Sequence, residues 1–194
     1  MNNSETKYID KLKSWAETVE MHPLPDWDEL PELELYMDQV IILTGRYLGY
    51  MEPLTGEDKP VTPAMINNYV KMGLMPPPVK KKYSRCQLAC IIIICILKRS
   101  LTMSAIQKIL NKDMAPEDIE RLYRTFTENR SAALSYVTDQ LRTRKDKIIA
   151  EDDADGESYV VRLAVIADFC RFSAEKLADD LNINDINGSE GDDE

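Results

Sequence analysis

From Leu88 to Leu97 the chain reads Leu-Ala-Cys-Ile-Ile-Ile-Ile-Cys-Ile-Leu, ten apolar residues in succession with no polar side. A helix that is apolar all round has to be covered all round. Ile91 to Ile94 alone would suit a buried strand, but the stretch from Arg85 to Arg99 is too long for an ordinary one. Ser84, followed three residues later by Gln87, is a capping box that opens a helix. The expectation is a central helical rod around which the rest of the chain is built. The run is half of the roughly 20 residues that a membrane crossing needs. Residues 1–20 are polar and charged at helical spacing, without a hydrophobic leader. A soluble, cytoplasmic protein with no membrane partner is expected.

The flanking sequence predicts more helices, hence an all-α (mainly) fold. Ser4 can cap a first helix whose stripe is Tyr8, Ile9, Leu12, Trp15, Ala16 and Val19. Pro23 and Pro25 stop it. A second helix is expected from about Glu34 to Tyr50, then a loop from Glu52 to Val61 containing Pro53, Gly56 and Pro60. Thr62-Pro63 is a strong helix start and Gly73 the matching stop. Between them Met65, Ile66, Tyr69 and Val70 form an apolar side, and Ala64, Asn67, Asn68 and Lys71 share the other. Pro76-Pro77-Pro78 must be extended and leads into Val79-Lys80-Lys81-Lys82-Tyr83, a short basic arm or tight hairpin. Thr102 caps a shorter helix bearing Ile106, Ile109 and Leu110. Pro116 opens a long one through Ile119, Leu122, Tyr123, Phe126, Ala133, Val137 and Leu141, ending in Arg142, Arg144, Lys145 and Lys147. After an acidic break at 151–157, a last helix is expected from about Ser158 to Leu181. The polar, acidic residues 182–194 are expected to be disordered.

Charge is sorted along this chain. From Lys59 to Lys112 there are ten Lys and Arg and no Asp or Glu, while the other fourteen basic residues share the remaining sequence with all thirty-four acidic ones. The net charge of −10 thus hides a cationic block in an anionic surround. A solvated helical face normally mixes signs, so the block points to an anionic partner, nucleic acid above all. The alternative is that it docks on the chain's own acidic parts.

The order capped helix, basic arm, long apolar helix, short helix is where the residues become recognisable. Thr62-Pro63-Ala64-Met65-Ile66-Asn67-Asn68-Tyr69-Val70-Lys71-Met72-Gly73-Leu74-Met75-Pro76-Pro77 resembles the recognition helix and the start of the wing in MerR-family transcription regulators. The similarity continues through Tyr83-Ser84, Leu88 and Leu101-Thr102-Met103-Ser104-Ala105-Ile106, about residues 61–110 in all. The whole chain also resembles a bacterial family catalogued as a domain of unknown function, through Leu35-Tyr36-Met37-Asp38-Gln39-Val40, Met65 to Leu74 and Pro76 to Tyr83.

The MerR resemblance implies a winged helix-turn-helix core at 31–112, with an N-terminal helix and Pro-rich linker at 1–30. A C-terminal helical region at 113–181, for dimerisation or an effector, and an acidic tail at 182–194 would complete the chain. It implies a sequence-specific regulator of double-stranded DNA, acting as a homodimer. Thr62, Asn67, Asn68, Tyr69 and Lys71 would serve the recognition helix at 63–72, Lys80, Lys81, Lys82 and Tyr83 the wing at 79–83, and Arg85 would bind DNA just beyond it. Asparagine can pair both amide groups with an adenine edge, and lysine is a point charge for phosphate. A second function class is a protein-interaction module on the same scaffold, binding an acidic protein. Catalysis is not expected. No Gly-rich phosphate loop is present, the single histidine, His22, sits in the Pro-flanked linker, and acidic pairs such as Asp152-Asp153 fall in loop sequence. Neither cofactor nor metal is expected. Cys86, Cys90, Cys95 and Cys170 lie mostly in apolar sequence, where thiols pack as small hydrophobes.

Overall fold

The computed structural model describes residues 5–51, 61–143 and 156–181. They form seven α-helices and one two-stranded sheet: α1 (Glu5–Glu20), β1 (Leu35–Tyr36), α2 (Met37–Leu48), α3 (Pro63–Lys71), β2 (Lys82–Tyr83), α4 (Arg85–Leu97), α5 (Met103–Ile109), α6 (Pro116–Thr143) and α7 (Gly156–Asp180). The fold is mainly helical. The Ser4 cap, residues 52–60 of the expected 52–61 loop, the basic end at Arg144, Lys145 and Lys147, residues 151–155 of the acidic break expected over 151–157, and the 182–194 tail lie outside the described residues.

The rod is α4. Its nine residues from Gln87 to Cys95 are buried without interruption. It packs against α6, α2 and β2, and the core cluster around it includes Val40 and Leu48 of α2, Ile66 and Tyr69 of α3, and Ile119 and Tyr123 of α6. Each fully buried Ile contributes roughly 1.5–3 kcal/mol of transfer free energy, so four in a row make this helix the main source of cohesion. The Pro-rich linker closes one end. Trp27 packs 5.9 Å from Tyr123 at a 56° tilt, and the Tyr123 hydroxyl donates to the Pro25 carbonyl at 2.9 Å. On the first helix Ala16 and Val19 are buried, whereas Trp15 stays half out.

Two differences from the sequence reading concern the ends of helices. Leu35 and Tyr36 form β1 rather than the first turn of α2. They pair antiparallel with β2 in the register Leu35↔Tyr83 and Tyr36↔Lys82. A two-residue strand has no period to reveal it, and its partner is remote in sequence. The helix α7 also begins at Gly156, inside the acidic break expected over 151–157, rather than at Ser158, and the contacts described for it lie in its last turns. Glu175 accepts from the Thr102 N–H and hydroxyl at 2.6 and 3.1 Å, Asp179 accepts from Lys108 at 2.6 Å, and Ala178 is buried. No helix among the described residues is long and apolar enough to cross a membrane.

Candidate nucleic-acid interface

The helix α3 is defined at both ends by local chemistry. Thr62 Oγ1 accepts from the Met65 N–H at 3.3 Å, Pro63 takes the first position, and Gly73 leaves the helix at φ 73°. A Cβ on Gly73 would meet only Gln107 Nε2 at 3.6 Å and Lys112 Cδ at 4.0 Å, so glycine is needed there for its conformation rather than for space. Two bonds secure the exit: Gln107 Nε2 donates to the Met72 carbonyl at 2.9 Å, and the Lys112 N–H donates to the Gly73 carbonyl at 2.9 Å. One side of α3, carrying Ile66 and Tyr69, enters the core. The other, with Ala64, Asn67, Asn68 and Lys71, is exposed, as the periodicity predicts. Asn68 Nδ2 contacts Met72 Sδ at 3.4 Å, a weak bond.

The arm is a hairpin. Val79 and Lys82 exchange backbone bonds of 3.1 and 2.9 Å, enclosing Lys80 at φ 49° and Lys81 at φ 65°. Two consecutive left-handed residues make the tight turn whose twist suits a hairpin, a position that normally takes Asn-Gly. Lysine there costs roughly 1–2 kcal/mol per residue, because its Cβ crowds the backbone. Both side chains are exposed at the tip. The base of the arm is pinned by Gln87, whose Oε1 accepts from the Ser84 N–H at 2.7 Å while Nε2 donates to the Pro76 carbonyl at 3.0 Å. One side chain thereby caps α4 and anchors the segment leaving α3.

The structure divides the sequence-predicted site residues into three groups. Asn67, Asn68 and Lys71 on α3, and Lys80 and Lys81 on the arm, are exposed and carry no described ion pair. No described hydrogen bond or ion pair joins the two sets. Lys82 and Arg85 are already engaged. Lys82 lies 3.9 Å from Glu34 and 5.6 Å over the Tyr36 ring; Arg85 pairs with Glu32 at 3.3 Å and stacks 5.6 Å over Trp27. Thr62, Tyr69 and Tyr83 are structural. Thr62 is the cap, and the two tyrosines are 3% and 2% exposed. Burial raises the Tyr83 phenol above its ordinary pKa. Tyr69 falls in register with Ile66, and Tyr83 sits on the inner side of a strand whose outer residue is Lys82, so the core claims both rings.

The acid-free window is therefore acid-free in sequence only. Glu32, Glu34, Asp113 and Asp179 reach in from outside it to Arg85, Lys82, Lys112 and Lys108 respectively. The contacts at 3.8 and 3.9 Å are long, solvent-exposed pairs of the kind worth about 0–1 kcal/mol. Reading by windows missed three of them because Glu32 and Glu34, just before β1, and Asp179, on α7, are remote in sequence from their partners, while Asp113 directly follows Lys112 at the window's edge. Sequence reading also missed the anchoring by Gln87 and Gln107; the capping box showed half of what Gln87 does.

Cys86, Cys90 and Cys95 pack within the core as free thiols, and burial pushes the Cys90 thiol up to about 12. Among the described residues no three His, Cys, Asp or Glu side chains converge as metal ligands. In comparisons with known proteins, the model of the family described as "Domain of unknown function (DUF1836)" matches residues 25–126, the segment from the Pro-rich linker to the middle of α6. No curated protein and no solved structure gives a significant match.

Proposed function

The chain belongs to the DUF1836 family, and from the arrangement of α3 and its neighbouring arm we propose that it is a sequence-specific DNA-binding regulator with a MerR-like winged helix-turn-helix core. The observation that carries the reading is the pairing of a carboxylate-free, outward helix side with a hairpin that holds two lysines in a costly backbone conformation at its tip. Strained residues persist where the surroundings over-determine them, and they cluster at working sites. In this reading α3 enters a major groove, Asn67 and Asn68 read base edges, and Lys71 meets phosphate. Lys80 and Lys81 grip the flanking backbone. Lys82 and Arg85 position the arm through Glu34, Tyr36, Glu32 and Trp27, while Thr62, Tyr69 and Tyr83 hold the scaffold.

The protein would act as a homodimer, because one small reader buries little DNA surface and pairing doubles the site. Support for pairing comes from α7, where Val161, Val165, Phe169 and Phe172 recur at helical spacing and are all exposed. Three lysines per copy with no ion pair among the described residues, Lys71, Lys80 and Lys81, would neutralise about six phosphates in a dimer, giving a log–log salt slope of roughly −5. The test is fluorescence polarisation on a duplex selected from a random library, titrated across salt. Binding with that slope is expected, falling to roughly −2 in the Lys80→Ala, Lys81→Ala double variant. Asn67→Ala with Asn68→Ala should reduce sequence preference and leave the slope alone. Absence of any duplex binding at low salt, or a slope unmoved by the lysine changes, defeats the reading.

A further inference from the structure

A second feature lies away from α3 and the arm. Where α1, the turn after α2, the end of α4 and the middle of α6 meet, a cleft of about 250 Å³ opens. Trp15, Tyr50, Ile96 and Leu134 supply apolar walls, and Arg99 and Arg130 line it, with no acidic residue among the described residues of its lining. In a chain of net charge −10, a cleft whose described lining carries two guanidinium groups and no carboxylate is a local exception to a field that repels anions.

Arg130 is the informative residue. Its guanidinium stacks 5.1 Å over the Tyr50 ring, which fixes its plane, and its Nη2 atom is buried with no hydrogen-bond partner among the described residues. Leaving a buried charged donor unsatisfied is costly, and native structures rarely tolerate it without a function. A carboxylate meeting the guanidinium edge would satisfy that donor with a charge-assisted bond, the strong kind. Trp15, 39% exposed at the rim, offers a flat surface for a ring.

We propose that this cleft is a binding site for a small organic anion. Its apolar, ring-sized body lies against Trp15 and Ile96, and its carboxylate or similar group pairs with Arg130 and, at the rim, Arg99. The volume suits a compact molecule rather than a peptide or a nucleic acid strand. The site is independent of the DNA reading and stands or falls without it.

Isothermal titration of the full chain with 2-naphthoate, and with its neutral counterpart 2-naphthamide, tests the proposal. The acid is expected to bind roughly tenfold or more tightly than the amide. Arg130→Gln should abolish that preference, and Arg99→Gln, at an exposed position, should diminish it. Leu134→Trp, which fills the cleft, should remove binding of both compounds. No heat from either compound at millimolar concentration overturns the proposal. So does equal binding of acid and amide, a preference that survives in both arginine variants, or binding that persists in Leu134→Trp and so belongs to another apolar surface.

Discussion

In α4 nine residues in succession are covered by the rest of the protein, whereas in α7 Val160, Val161, Val165, Phe169 and Phe172 stand in the open. The two helices differ in how their apolar residues are arranged and in what holds them. The rod α4 is apolar on every side, so it needs neighbours in all directions and packs against α6, α2 and β2. Among the described residues, the contacts that hold α7 lie in its last turns: three polar contacts and the buried Ala178. Cohesion therefore resides around α4, and the apolar surface of α7 is available for association. The same contrast recurs over five residues of the arm, where Ser84 relaxes the start of α4 while Lys80 and Lys81 strain the turn before it.

The largest expected effect lies in the rod. Ile92→Ala removes a fully buried side chain and should cost about 2–5 kcal/mol in urea unfolding. Phe169→Ser on α7, 70% exposed, should leave monomer stability within about 0.5 kcal/mol. Its effect should appear in light scattering, where the mass falls from a pair to a single 22.2 kDa chain. If Phe169→Ser proves as destabilising as Ile92→Ala, the contrast between the helices is broken.

The next effect, about 1 kcal/mol, is expected from Ser84→Ala, which removes the cap on the Gln87 N–H while Gln87 keeps its bond to Pro76. A loss as large as that of Ile92→Ala would mean that the cap also maintains the arm. Lys81→Gly should act in the opposite direction. Glycine adopts positive φ without a Cβ penalty, so stability should rise by about 0.5–1 kcal/mol. DNA affinity should fall, with the salt slope shallower by roughly 2 per dimer. A stabilised variant that binds as tightly as the parent would show the strained tip to have no part in recognition.

What could be read from the sequence follows the range of each interaction. The caps of Thr62, Ser84 and Thr102, the stop at Gly73 and the all-round burial of α4 depend on residues within a turn or two, and all appear in the structure. The exposed side of α3 was equally legible, because Asn67, Asn68 and Lys71 are set by the same period that buries Ile66 and Tyr69. Contacts between distant segments were not legible. Leu35 pairs with Tyr83, Glu32 reaches Arg85, Asp179 reaches Lys108, and nothing local announces any of these. Arg130 and Tyr50 meet in the same way, so the arginine cleft left no trace in the pattern of either segment.

The smallest expected effect separates the two attachments by pH. The Asp179 carboxyl is held below its ordinary pKa by the hydrogen bond from Lys108, and then by that ammonium's charge. A carboxylate lowered on folding contributes stability that is present above its unfolded pKa and lost as the pH falls through its folded one. Acidification through the carboxylate range should therefore loosen the last turns of α7 from α5. The rod should be unaffected over the same interval, since no acidic residue is among the buried side chains described. Hydrogen exchange read separately over 103–109, 175–180 and 87–95 checks this. Protection at the first two segments should decline with acid while the third holds, and Asp179→Asn should make the α5–α7 contact weaker at neutral pH and flatter with pH. Uniform loss of protection across all three segments would mean that α7 is tied into the same cooperative unit as α4, and the distinction between a cohesive rod and a loosely docked helix would no longer stand.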